Sequence, residues 1–237
     1  MILLLAAAQG FTGDEVVGRV SETRPLRAKS LMAAEMPTIP DDAYRSAAQG
    51  ETETGLVDVE GYKAKKAWGV AIVETPIEKY YAAVNDDASK PRYGRLSYTE
   101  VLSGGLCGED RVVFMYLPVS LMTDRYWVSN VRKNQALLAA SNGEVREMTW
   151  ATREPEIPAG KRANDYTQKG MPIEFAKGAW YLTKLDASHT LVEYWTWTDP
   201  GGYVPAGLAS SFAAGGIKDT IESMSKLAED GPRCALE

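Results

Sequence analysis

Few residues in this 237-residue chain are equipped for chemistry, and they do not keep the company that catalysis requires. A general base needs a titratable group poised near neutral pH, yet the only histidine, His189, stands between Ser188 and Thr190 in a stretch that reads as a turn. A solvated imidazole is the plainer reading there. One histidine and two distant cysteines, Cys107 and Cys234, cannot assemble a zinc site of nitrogen and sulfur ligands, so neither a metal nor another cofactor is expected. Gly104-Gly105 and Gly201-Gly202 carry no G-x-G-x-x-G or G-K-[ST] around them, and no G-x-S-x-G elbow occurs. The net charge of -6 and the scatter of the 26 basic residues argue against nucleic acid as a partner. The nearest basic patch, Lys63, Lys65 and Lys66, reads as the solvated face of an edge strand.

What the chain has in quantity is aromatic, amphipathic surface. Six Trp and twelve Tyr fall mostly on segments that read as strands, among them Trp68, Tyr116, Trp127, Trp150, Trp180, Tyr181, Tyr194, Trp195 and Trp197. Singly, each reads as core. Together they suit a cavity that holds a hydrocarbon and orients one polar group, because Tyr and Trp present an apolar body with one polar atom. Parity assigns the faces. Glu193 and Lys184 are costly to bury unpaired, so they are expected to point outward, which turns Tyr194, Thr196, Tyr181 and Thr183 inward. Trp180, Trp195 and Trp197 then fall on the outer face and need an arm, a loop or a partner to cover them.

The elements that must position these residues follow from periodicity and punctuation. Hydrophobic content of 45% and charged content of 24% are those of an ordinary globular chain long enough for one large domain. Residues 1–8, MILLLAAA, read either as the remnant of a secretory signal or as a plain apolar N-terminus. Export implies a periplasmic or secreted protein and the alternative a cytoplasmic one; a Cys107–Cys234 disulfide is compatible with the first. Residues 9–54 read as a helical arm or cap, with helices over Asp14 to Val20 and Leu26 to Glu35. Residues 55–230 read as the main domain and 231–237 as a tail. About eight strands are expected, with a helix after the second opened by Thr75-Pro76-Ile77-Glu78 as a capping box. The polar stretch Glu154 to Met171 reads as a long loop. A final helix runs from Pro205 to about Glu229, with Leu208, Phe212, Ile217, Ile221, Met224 and Leu227 on one face. The class is α+β with a predominantly antiparallel sheet.

The order of HTLVEYWTW at His189, DPGGYVP at Asp199 and the amphipathic terminal helix, preceded by PVSLMTDRYWVS at Pro118 and GAWYL at Gly178, resembles the START lipid-transfer domains of the helix-grip superfamily. The resemblance covers Asp58 to Asp230. It implies a curved antiparallel sheet wrapped around a long C-terminal helix, with an internal apolar cavity for one lipid. Asp124-Arg125 resembles, in reversed order, the pair that opens a strand in that family, and the register from Arg125 turns Trp127, Ser129 and Val131 toward the cavity. Val131 stands where steroidogenic members carry an arginine, which leaves the ligand open.

The leading expectation is a non-catalytic protein that binds, and transfers, one lipid or other hydrophobic small molecule, with transient membrane contact. Its expected ligand-binding residues are Trp127, Ser129, Val131, Tyr181, Thr183, Tyr194, Thr196, Leu208 and Phe212, with Arg125 and Tyr116 as polar anchors. Two rivals stand. The resemblance extends to polyketide cyclases and aromatases, in which case Tyr116, Tyr194, Arg125 or Glu100 would promote proton transfer. Otherwise the exposed tryptophans dock a protein partner.

Overall fold

A computed structural model describes residues 10–120, 122–202 and 216–236. Nine strands form one sheet: β1 Glu53–Val57, β2 Lys66–Val73, β3 Tyr98–Ser103, β4 Asp110–Leu117, β5 Asp124–Lys133, β6 Val145–Arg153, β7 Gly170–Pro172, β8 Phe175–Lys184 and β9 Thr190–Asp199. Their order is β1-β2-β9-β8-β6-β5-β4-β3, antiparallel throughout this path. β7 adds in parallel to the first residues of β5, below the point where β6 leaves it. The stretch read as one long loop therefore holds a strand and a short helix, Ala163–Thr167. Both are too brief to show a period, and β7 gains its order only from the edge it completes.

Two helices cover the inner face. Helix α3, Ile77–Asn85, and the terminal helix, Gly216–Asp230, bury Ile77, Tyr80, Tyr81, Ile217, Ile221, Met224 and Leu227 against alternate residues of the strands, including Ala67, Ala71, Val113, Val131, Met148, Trp180, Leu182 and Val192. The terminal helix comes close because β2 offers no side chain at Gly69, where a Cβ would meet Ile217 at 2.2 Å. Helix α3 does not start in the expected capping box. Its N-cap is Pro76, without a side-chain cap; Glu78 instead reaches Arg146 at 3.2 Å, and the Thr75 carbonyl accepts from Thr190 Oγ1 at 2.7 Å. A buried arginine is a stronger claimant on a carboxylate than a backbone N–H at a helix end.

The N-terminal elements cover the outer face. Helix α1, Gly13–Thr23, opens on a genuine capping box of Thr12 and Glu15, and a 3-10 turn over Arg24–Lys29 leads toward α2, Asp41–Ala47. Val16, Val20, Ala43 and Tyr44 pack with Trp68, Val70, Leu191, Trp195 and Trp197. The two tryptophans that needed cover thus receive it from the arm. Trp180 does not belong with them, since it lies on the inner face. The last described residues are fixed by the Cys107–Cys234 disulfide, which joins the tail to the β3–β4 turn, and by the Arg233 N–H donating to Asp86 at 2.8 Å.

Candidate functional site

Register decides which side chains meet beneath the helices. Val131 pairs with Trp150 and Arg111, Ser129 with Val113 and Thr152, Trp127 with Met115, and Trp180 with Tyr194. Paired residues share a face, so Arg125, Trp127, Ser129, Val131, Tyr194 and Thr196 all lie on the inner side. Tyr181 and Thr183 do not. Tyr181 pairs with Glu193 and packs outward with Leu137 and Val145, and Thr183 pairs with Leu191 under the arm. The expectation failed because Lys184 is the last residue of β8, where a long side chain leaves past the sheet edge whichever way it points. Lys177, seven residues earlier in the same strand and therefore of opposite parity, does face outward and meets Glu35 of the arm at 2.6 Å. Glu193 does lie on the outer face, but buried, with Arg27 at 2.5 Å.

Tyr116 is a second correction. It packs on the outer side with Phe114, Val128 and Ala163, its hydroxyl donates to Asp124 at 2.6 Å, and burial together with that bond pushes it up to about 12. Glu100 accepts from the Ala163 N–H at 2.8 Å and from the Tyr98 hydroxyl at 3.0 Å, again on that side. Neither group shares a space with Tyr194 or Arg125, so the four proton-transfer candidates do not form one site. Leu208 and Phe212 lie outside the described residues.

The inner face of the middle strands is an aromatic floor. Trp150 stacks with Tyr194 at 5.6 Å between centroids, and Tyr194 leans on Trp180 at 4.3 Å. Trp150 lies flat only because the facing position is Gly178, where a Cβ would stand 2.4 Å from its ring. Sequence reasoning missed Trp150 and misplaced Trp180; Lys177 carried the signal that would have oriented β8. Burial pushes the Tyr194 phenol up, so it stays protonated as donor and acceptor.

Beside this floor, β5 presents Trp127 and Ser129, two residues apart and on one face. Ser129 is fully buried, yet neither its Oγ nor the Trp127 Nε1 has a hydrogen-bond partner. Arg125, next along the same face and only 4% exposed, donates to the carbonyls of Pro200 at 2.8 Å, Gly201 at 3.3 Å and Thr123. It thereby ties the start of β5 to the turn that follows β9. At the other end of the face Arg146 is closed in by α3, its guanidinium over the Tyr81 ring and its Nη2 on Glu78. No group of His, Cys, Asp and Glu among the described residues is arranged to hold a metal ion.

No protein-family profile matches the sequence, and no curated protein matches it either. Solved structures do. The crystal structure of the STAR-related lipid transfer protein from Xanthomonas axonopodis is similar with a TM-score of 0.61 at 16% identity, over 75% of this chain and 93% of that one. The chain has a START-like helix-grip fold. Human StAR-related lipid transfer protein 5 shares the helix grip at a TM-score of 0.61 and 12% identity, over 90% of this chain and 98% of that one. Human STARD10 shares it at 0.58 and 12%, over 83% and 82%. At such identities the likeness is one of architecture. What the helix grip contributes to the site is placement, with β5, β6, β8 and β9 bringing Trp127, Ser129, Trp150, Trp180 and Tyr194 onto one concave face.

Proposed function

We propose that this protein is a carrier that holds one lipid or other hydrophobic small molecule against the inner face of its sheet and does not transform it. The observation that carries the reading is the aromatic floor of Trp150, Tyr194 and Trp180 lying beside polar atoms of Trp127 and Ser129 that no group among the described residues satisfies. Buried polar atoms are ordinarily paired, so a bound molecule is their natural complement. The names of the solved neighbours, lipid-transfer proteins of the same architecture, support the same reading. Affinity would come from apolar area removed from water, at about 25 cal/mol per Å².

The working compartment proposed for the carrier is an oxidising one, periplasmic or extracellular. Support comes from both cysteines being joined and from the apolar residues 1–8 at the start of the sequence. Loading from a bilayer would proceed by transient contact, and among the described residues no helix is long and apolar enough to cross a membrane. Mass spectrometry of organic extracts of the purified protein tests the carrier reading. A reproducible lipid-like species at near one copy per chain is the expected outcome. Protein that emerges empty and takes up no fluorescent fatty acid, sterol or phospholipid would rule the reading out.

A further inference from the structure

The polar atoms of the inner face also limit what the guest can be. We infer that the guest is an uncharged amphiphile with a hydrogen-bond-accepting oxygen, such as an ester, ketone or amide carbonyl, received by Trp127 Nε1–H and Ser129 Oγ–H. The inference rests on the carrier reading and names the chemistry of the same site.

An indole N–H can only donate, so the complement of Trp127 must be an acceptor. A hydroxyl donates as readily as it accepts, and Ser129 stands two residues further along the same face of β5, about 7 Å away at strand rise. The Tyr194 phenol, held protonated by burial, can add a third neutral contact across the floor. The surroundings are uncharged. The inner positions facing this pair are Val113 and Met115 on β4 and Trp150 and Thr152 on β6, followed by Trp180 on β8 and Tyr194 and Thr196 on β9. The nearest cation, Arg125, is already turned onto three backbone carbonyls, those of Pro200 and Gly201 in the turn after β9 and that of Thr123. An ionised carboxylate or phosphate would enter neutral aromatic surroundings at Trp127 and Ser129, a costly transfer, because the cation with open donors, Arg146, stands at the other end of the face beneath α3. A plain hydrocarbon would leave both donors unsatisfied, also at a cost.

Among the other buried polar atoms without partners, Trp195 Nε1 and the Tyr181 hydroxyl are the neutral aromatic ones, and they differ in setting. Both lie on the outer face beneath the arm, and each ring carries a cation over it, Lys66 for Trp195 at 5.7 Å and Arg27 for Tyr181 at 5.1 Å. Trp195 is closed over by Val16, Val20 and Tyr44, and Tyr181 by Leu137 and Val145. Among the described residues no such closure by the arm lies over Trp127 and Ser129. The described part of the terminal helix packs on β1, β2 and β9, and α3 on β6 and β8.

Four twelve-carbon probes test the inference: dodecane, dodecan-1-ol, methyl dodecanoate, and dodecanoate at pH 8. Affinity is read by titrating tryptophan fluorescence, and contact by the indole N–H signals of ¹⁵N-labelled protein, with Trp127 assigned from the Trp127→Phe variant. Methyl dodecanoate and dodecan-1-ol are expected to bind about fivefold or more tighter than dodecane and dodecanoate, and to shift the Trp127 N–H signal downfield. Ser129→Ala and Trp127→Phe should each weaken the ester about fivefold and narrow its advantage over dodecane. Ser129→Ala should also melt at or above the parent temperature without ligand, which separates lost contact from lost fold. Dodecanoate or dodecane binding as tightly as the ester, or a Trp127 signal that ignores the bound ester, would overturn the inference and leave a carrier. Failure of all four to bind would remove the carrier and the inference together.

Discussion

The charges buried beneath the arm and the neutral groups buried at Trp127 and Ser129 are treated differently by the fold. On the outer face the charges are answered by the chain itself. Glu193 meets Arg27 at 2.5 Å, and Glu147, fully buried, accepts from Ser30 Oγ, the Leu31 N–H at 2.9 Å and Asn134 Nδ2 at 2.6 Å. Burial disfavours the Arg27 charge, but Glu193 beside it outweighs burial and its pKa is raised. On the inner face Trp127 and Ser129 are answered by nothing among the described residues. The contrast separates two uses of buried polarity. Paired charges under the arm fix one docking of residues 10–47, whereas unpaired neutral groups at Trp127 and Ser129 give up some stability and keep hydrogen-bonding capacity for a guest.

The most severe way to break the outer arrangement is Glu193→Ala, which leaves the partly buried Arg27 without its partner. Unfolding should be easier by about 3–5 kcal/mol, read as a lower urea midpoint, and protease cutting within residues 10–47 should quicken. A loss under 1 kcal/mol would show that the arm docks by apolar contact alone. The next effect comes from the tail. Replacing Cys107 and Cys234 by Ser opens a covalent loop spanning 127 positions and should cost about 2–4 kcal/mol, with the parent protein falling to the same melting temperature under reductant.

Gly178→Ala tests the inner floor. Its Cβ would meet the Trp195 carbonyl at 2.2 Å and the Trp150 ring at 2.4 Å, so about 1–3 kcal/mol of stability should go, with a change in near-UV circular dichroism and weaker guest uptake. Unchanged uptake would detach Trp150 from the site. The smallest effect concerns acid. Burial opposes the charge on Asp87, but Lys90 at 2.6 Å and Arg111 at 2.5 Å outweigh it and hold the carboxyl below the usual 3.8. The folded-state pKa is the lower one, so this contribution is complete above about pH 4 and disappears as pH falls through the folded value. Urea midpoints for Asp87→Asn should therefore differ from the parent at pH 7 and converge toward it below pH 4.

Much of this architecture was legible in the chain because it is written in local periods. The alternation of β9, the turn at Asp199-Pro200-Gly201-Gly202 and the amphipathic run through Ile217, Ile221, Met224 and Leu227 each follow from side-chain spacing. The faces were legible from a charge only where it sat inside a strand. Glu193 read correctly for that reason and the face of β5 through the resemblance that set its register from Arg125, while Lys184 at a strand end misled the reading of Tyr181, Thr183 and Trp180. Tyr116 and Glu100 were misjudged for another reason: their partners, Asp124 and the Ala163 N–H, are set by tertiary docking of the segment between β6 and β8. The lack of partners at Trp127 and Ser129 is likewise a property of the assembled interior, and no spacing in the sequence announces it.

The disulfide has a mechanical corollary. It rivets the last turns of the chain to the β3–β4 hairpin, so the rod formed by Gly216–Asp230 can swing only from its opposite end. At 1.5 Å per residue this lever is about 22 Å long, and a 5° tilt about the riveted end displaces its first turn by about 2 Å. Gly69, which lets Ile217 sit against β2, lies under the Gly216 end of the described helix, where a small tilt opens the widest gap.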